Sequence, residues 1–244
     1  RRLGRMALLS TPFWLAYEAL NVRLADWAYV GVPAPLAARW AGYAAAYATV
    51  LPAVLVTASL LRSRLPPESS PSPRPWLVSA RTAAASRALG LACLALPLWE
   101  PRLFFPLVWA PAFLLFEPTV AKRRPAESWL AELAAGNGRD FRALLLSGLL
   151  CGLAWESLNY WAGAKWRYTF PWPASPKLFE MPWLGFLGFP PFALGCASFW
   201  HAHELWWEEA DLGARAAWVA ILIVLSLLAM SAIDAHTVRS FVPL

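Results

Sequence analysis

LAWESLNYWAGAKWRY, residues 153–168, closes a long apolar run and sets Glu156, Asn159 and Lys165 among aromatic side chains. Glu156 and Asn159 lie three residues apart, which puts them on one face of a helix. A carboxyl at such a place is costly in a bilayer unless it faces the bundle interior. The pattern occurs once before, in LAYEALNVRLADWAY, residues 15–29. Glu18 matches Glu156, Asn21 matches Asn159, Trp27 matches Trp166 and Tyr29 matches Tyr168, with one extra residue in the later copy. Leu and Ala recur by chance in any membrane chain; Glu, Asn, Trp and Tyr in the same order do so far less readily. Two related halves are expected, each with one buried acid–amide pair.

Working outward, the chain of 244 residues is 59% hydrophobic and 15% charged, where a soluble domain carries about 25% charge. With a mean hydropathy of +0.46, it reads as an integral membrane protein of the all-α class. About seven spans are expected, near residues 6–24, 36–61, 83–99, 103–120, 141–161, 182–206 and 216–233. They divide into a first half over 1–120, a basic and amphipathic linker over 121–140, and a second half over 141–244. The first span follows Arg1, Arg2 and Arg5 and imitates a signal peptide. The repeated motif inside it, and the lack of a small-x-small cleavage site, make it a helix of the bundle instead.

Proline sets the irregularities. Pro52 is expected to kink the second span, Pro106 and Pro111 to bend the fourth, and GFLGFPPFAL to break the start of the sixth. PPESSPSPRP is a flexible loop, residues 25–36 form an aromatic and proline loop, and KWRYTFPWPASPKLFEMPW is a cap over one end of the bundle. Residues 127–135 read as a surface helix with Trp129, Leu130 and Leu133 toward lipid and Gly136 ending it.

The net charge of +6 is confined to certain loops and matches no nucleic-acid motif, so nucleic acid is not an expected partner. Placing the N-terminus inside puts about two thirds of the 21 Lys and Arg on the inner side. The expected location is a bacterial inner (cytoplasmic) membrane, N-terminus in. The helices bearing Glu18 and Glu156 then run the same way, so the halves are parallel. Glu18, Glu100, Glu156 and Glu180 gather toward the outer side.

The paired acids carry the candidate chemistry. Burial holds a proton on a carboxyl, the amides of Asn21 and Asn159 orient it, and such an acid can protonate a substrate. The bland alternative is hydrogen-bond glue between helices. Lys165 and Arg167 can pair with Glu156 or Glu180, or snorkel to the interface; Asp26 stands similarly near Arg23 and Arg39. Acids before proline recur at Trp99-Glu100-Pro101 and Phe116-Glu117-Pro118, with Phe179-Glu180-Met181-Pro182 as a variant. Each ends a helix or frees a carboxyl from it.

Sixteen tryptophans exceed what interface belts need. Trp27, Trp155, Trp161, Trp166 and Tyr168, with Lys165 and Glu100, are candidate binding residues, because π-faces stabilise a cation by roughly 0.5–2 kcal/mol each. His201, Glu204 and Glu208 share a helix face while His203 points elsewhere, which reads as an interfacial acidic end, and no metal or cofactor is expected. Cys93, Cys151 and Cys196 lack metal spacing and read as small buried hydrophobes. No phosphate loop, Ser–His–Asp set or CxxC is present.

Glu18 and Glu156, with Glu100 and Glu180 in proline contexts, resemble the buried acids of the small integral-membrane lycopene cyclases and related membrane terpene cyclases. The adjacent-acid pattern of lycopene cyclases has no counterpart here. WESLNYW…KWRY and FEMPWLGFLGFPPFAL also resemble a family of bacterial multipass membrane proteins. The cyclase likeness implies protonation of an alkene or epoxide of an isoprenoid, without a redox metal. Glu156 and Glu18 would be proton donor and partner, Asn159 and Asn21 orienters, and Glu180 a further acid. Two other classes stay open. One is a lipid-, quinone- or pigment-binding accessory protein, as a homo-oligomer or a subunit of a membrane complex. The other is a small proton-coupled transporter.

Overall fold

The structure, a computed structural model, describes residues 2–169 and 176–243. Ten α-helices account for most of it: α1 (Arg2–Leu24), α2 (Leu36–Tyr47), α3 (Val50–Arg64), α4 (Ala80–Trp99), α5 (Pro101–Phe104), α6 (Pro111–Arg123), α7 (Trp129–Ala134), α8 (Arg139–Trp161), α9 (Phe189–Glu209) and α10 (Leu212–Ala232). Short strands join them: β1 (Trp27–Val30), β2 (Val32–Pro33), β3 (Lys165–Tyr168), β4 (Lys177–Leu178), β5 (Met181–Pro182) and β6 (Phe241–Val242).

Six helical segments of the described residues are long and apolar enough to cross a membrane: Leu36–Arg64, Ala80–Trp99, Pro101–Arg123, Arg139–Trp161, Trp183–Glu209 and Leu212–Thr237. The chain is a polytopic helical bundle. A seventh span is expected at residues 6–24; the structure has a helix of 23 residues there, α1. It is not among the six, because Glu18, Asn21 and the flanking arginines lower its hydropathy. Helix α10 shows the lipid-facing pattern most plainly. Ile221, Ile223, Val224, Leu225, Leu227 and Leu228 are all exposed, an outward apolar face that suits a hydrocarbon solvent.

Proline punctuation explains the helix breaks. Pro101, Pro106 and Pro111 each open a new helical piece at its first positions, where a missing N–H costs nothing. The expected bent fourth span is thus a chain of three pieces. Pro52 acts differently from expectation. The helix breaks at Ala48–Thr49, upstream of it, and Pro52 sits in the first turn of α3. Ser10 of α1, wholly buried, fills the break. Its hydroxyl donates to the Tyr47 carbonyl at 2.5 Å and accepts from the Leu51 N–H at 2.9 Å. Thr11 beside it donates to the Ala44 carbonyl.

The chain forms two compact units. The first comprises Arg1–Pro52, Leu153–Gly185 and Ala210–Leu244. Within it α1 packs on α2 and α10, and β1 pairs antiparallel with β3. Residues 25–36, expected as a loop, supply β1 and β2; WAYV and KWRY are rich in the aromatic residues that suit a pleated surface. Strand β2 pairs with β6 in parallel. Gly31 lies at φ +67°, and a Cβ there would stand 2.4 Å from the Gly163 carbonyl oxygen, so only glycine lets these two turns meet. Arg39 does not stand by Asp26. Its guanidinium grips Asp234 through two bonds of 2.8 Å, joined by Trp40 and Tyr43. Part of the expected cap, residues 170–175, lies outside the described residues.

The second unit comprises Ala53–Gly152 and Phe186–Glu209. Its core includes Ala58, Trp129, Leu144, Leu194 and Ala197, which corrects the surface-helix expectation for residues 127–135. Trp129 is buried and donates to the Ser198 hydroxyl at 3.1 Å, since an indole of this size finds more apolar contact between helices than on them. Gly136, at φ +87°, does end α7. The three cysteines are buried and free.

Candidate functional site

The site is built on the β1–β3 ribbon of the first unit. Trp27 lies opposite Tyr168, and Tyr29 opposite Trp166. Side chains two apart on a strand share a face, so these four aromatic residues stand together on one side. Ala28, Val30, Lys165 and Arg167 take the other. Each strand follows a helix that carries an acid near its end: Glu18 in α1 and Glu156 in α8.

Each acid is met by the Trp and Tyr of its own strand. Tyr29 Oη donates to Glu18 Oε1 at 2.5 Å, and Trp27 Nε1 donates to both Glu18 oxygens at 3.2 Å. Tyr168 Oη donates to Glu156 Oε1 at 2.5 Å, and Trp166 Nε1 donates to the same oxygen at 3.3 Å. Both carboxyls are fully buried. Burial first, then the carboxylate alongside, push the Tyr29 and Tyr168 phenols well above their ordinary range. Both therefore remain O–H donors.

The amides do other work than expected. Asn21 Oδ1 accepts from the N–H groups of Asp26 and Trp27, and its Nδ2 donates to the Trp27 carbonyl. Asn159 holds the N–H and carbonyl of Trp166 in the same way. Asn21 and Asn159 thus fix the turn from helix into strand, and Trp and Tyr orient the carboxyls. An amide offers a donor and an acceptor together, which is what a backbone N–H and C=O pair requires.

The two acids differ in what else reaches them. Trp14, one helical turn before Glu18, donates from Nε1 to Glu18 Oε1 at 2.8 Å. Tyr47 Oη donates onward to Tyr29 Oη at 3.0 Å. The residue one turn before Glu156 is Gly152, which has no side chain to offer. Glu156 Oε2 is buried without a hydrogen-bond partner among the described residues. The signal for Trp14 was present in the sequence, since positions four apart share a helix face.

The remaining expected residues divide. Lys165 bonds the Tyr160 carbonyl at 3.0 Å, lies over the Tyr160 ring and pairs with Glu180 at 3.3 Å. Trp155 is half-buried and Trp161 is 79% exposed, so Trp161 does not line an enclosed space. Glu100 belongs to the second unit, where its carboxylate caps α5 by accepting from the Arg102 N–H.

The sequence missed a further buried acid constellation in the second unit. Glu117 accepts from the hydroxyls of Ser128 and Ser198, each at 2.6 Å, and from the Leu130 N–H at 3.1 Å. Oε1 is held at the start of α7, a helix end that favours negative charge, and Oε2 by Ser198 of α9. That is a stapling role.

Comparison with family models, with curated proteins and with solved structures yields no match. The site rests on its own geometry.

Proposed function

We propose that this membrane protein binds a lipid-soluble molecule of the isoprenoid class and protonates it from Glu156, driving cyclisation or isomerisation. The carrying observation is the buried Glu156 Oε2, without a partner among the described residues. Both partners of Oε1 are donors, so an acid proton on Glu156 belongs on Oε2, where nothing in the described chain receives it. A carboxylic acid set in this way hands its proton to a guest. An alkene π pair forms the new C–H bond as the Oε2–H bond breaks, leaving a carbocation and a carboxylate. Loss of a proton from a neighbouring carbon to that carboxylate restores the acid, and no oxidant or reductant is consumed. Indole and phenol faces at Trp166 and Tyr168 suit the transient cation. Glu18, whose two oxygens are already engaged, is the scaffold member of the pair.

The resemblance to membrane lycopene and terpene cyclases supports this reaction class, and the matched motifs support an origin by duplication into parallel halves. The Lys and Arg distribution supports a cytoplasmic N-terminus in a bacterial inner membrane.

The test is expression in an isoprenoid-producing host with lipid profiling, comparing wild type, Glu156→Gln and Glu18→Gln at matched levels of folded protein. General acid catalysis contributes about 100- to 10,000-fold, so Glu156→Gln should lose product formation by at least about 100-fold. An unchanged lipid profile with folded wild-type protein overturns the catalytic reading. A co-purifying lipid displaced by Glu156→Gln, without a new product, would leave a binding protein.

A further inference from the structure

We infer a divalent-cation site in the second unit, formed by His201, Glu204 and Glu127. His201 and Glu204 lie three apart on α9, a spacing that brings two side chains to one helix face. Glu127 comes from a separate element, the short turn of Pro125–Glu127. Glu127 Oε2 stands 3.0 Å from His201 Nδ1, and Glu204 Oε2 stands 3.8 Å from it. One donor atom of each residue lies within 4.8 Å of the other two. A point equidistant from atoms so spaced is no more than roughly 2.4 Å from each. That is a few tenths of an ångström beyond the roughly 2.0–2.2 Å of zinc–imidazole and zinc–carboxylate bonds.

Charge favours a cation there. Arg123 pairs with Glu209, and Arg124 pairs with Glu208 while also touching Glu127 at 3.4 Å. Two carboxylates, Glu127 and Glu204, thus converge on one imidazole, with the Arg124 guanidinium touching Glu127 from the side. Glu204 is buried, and a buried carboxylate is retained when it is paired or bound to metal. One nitrogen and two oxygen donors suit borderline ions such as Zn²⁺, Co²⁺ or Mn²⁺ over Ca²⁺ or Cu⁺. Three protein ligands leave a coordination position open. Sequence spacing hid the site. It set His201 with Glu204 and Glu208 along one helix, whereas folding exchanges Glu208 for Glu127 and commits Glu208 to Arg124.

The test is titration of the full chain with Co²⁺ and Zn²⁺ after chelator treatment, in detergent and with a histidine-free purification tag. Visible absorption of bound Co²⁺ and calorimetry with Zn²⁺ supply the readouts. One equivalent of saturable binding is expected, lost at least tenfold in affinity in His201→Ala and Glu204→Gln, and unchanged in Glu208→Gln. Glu127→Gln, on a half-exposed turn outside the helices, should weaken binding tenfold without disturbing folding, so the outcome does not depend on the tolerance of α9. Absence of saturable binding, or binding that survives both His201→Ala and Glu127→Gln, overturns the site. Neither result touches the proposed role of Glu156, which lies in the other unit.

Discussion

Glu18 and Glu156 occupy matching places in matching surroundings, and among the described residues only Glu156 has a spare oxygen. Each is buried, each follows its helix into a strand, and each is gripped by the Trp and Tyr of that strand. The spare oxygen comes from the strand indoles: Trp27 Nε1 spans both Glu18 oxygens, whereas Trp166 Nε1 meets Glu156 Oε1 and the Tyr168 oxygen and leaves Oε2 alone. A second difference lies one turn upstream, at Oε1. Trp14 supplies an additional donor to Glu18, and Gly152 supplies none. A shared framework can thus hold two copies of one acid and commit them to different ends. Where donors meet both oxygens the carboxyl is tied; where they do not, one oxygen stays open.

The sharpest way to break the comparison is to remove the acids altogether. Glu18→Ala strands the Trp14 and Trp27 indole N–H groups and the Tyr29 hydroxyl, and a stranded buried polar group costs about 1–3 kcal/mol. A loss of at least about 3 kcal/mol is expected. Glu156→Ala takes the acceptor from the Tyr168 hydroxyl, leaves Trp166 Nε1 its bond to the Tyr168 oxygen at 3.1 Å, and relieves an unpartnered oxygen, so its loss should be clearly smaller. Unfolding of both variants in detergent measures the ranking, and equal losses would mean the two clasps are energetically alike.

A further difference is electrical. The residue before the motif Trp is Asp26 in the first copy and Lys165 in the second. Burial pushes the Asp26 carboxyl up to about 7. A carboxyl raised in the folded state binds its proton more tightly there than when unfolded. Its contribution to stability is therefore fully present below the ordinary Asp value, and is lost as pH rises through about 7. Wild type should gain on the order of 2 kcal/mol from this group between pH 8 and pH 5, and Asp26→Asn should flatten that gain. Denaturant melts at the two pH values decide it; an identical slope in the variant would remove Asp26 from the account.

The gentlest change converts one copy toward the other. Trp14→Phe keeps the ring and deletes the Nε1 donor, leaving Glu18 served by Trp27 and Tyr29 alone. The expected cost is about 1 kcal/mol, the net worth of one buried hydrogen bond. A cost near zero would show that Trp27 and Tyr29 suffice.

Much of this was legible beforehand. Long apolar runs announced the helices, and Pro101, Pro106 and Pro111 announced the pieces of the fourth span, because both are local properties of the chain; Pro52 did not mark the break near it. The order Glu, Asn, Trp, Tyr announced two matching buried acids, but paired each with its Asn and not with the Trp and Tyr that hold it. The ribbon was not legible: WAYV and KWRY are four residues each and find their partners more than 130 positions apart, and aromatic residues so short of context pass equally for loop or interface belt. Asn21 and Asn159 were tied to the carboxyls because helix spacing put them on the same face. The amides turned instead to backbone groups left open where the helix stops. Glu127 was hidden for a similar reason, since nothing local says which distant helix a short turn will meet.

The hydroxyl of Ser10 has a consequence for how the chain enters its membrane. In hydrocarbon, a bare carbonyl or N–H costs several kcal/mol, and the interrupted segment Leu36–Arg64 carries such groups at Tyr47 and Leu51 until Ser10 reaches them. Insertion of that segment is therefore tied to the helix before it: a bent hairpin delivered to the bilayer without α1 beside it would straighten, stay hydrated or be expelled. On that logic the first helix would serve as an escort for the next.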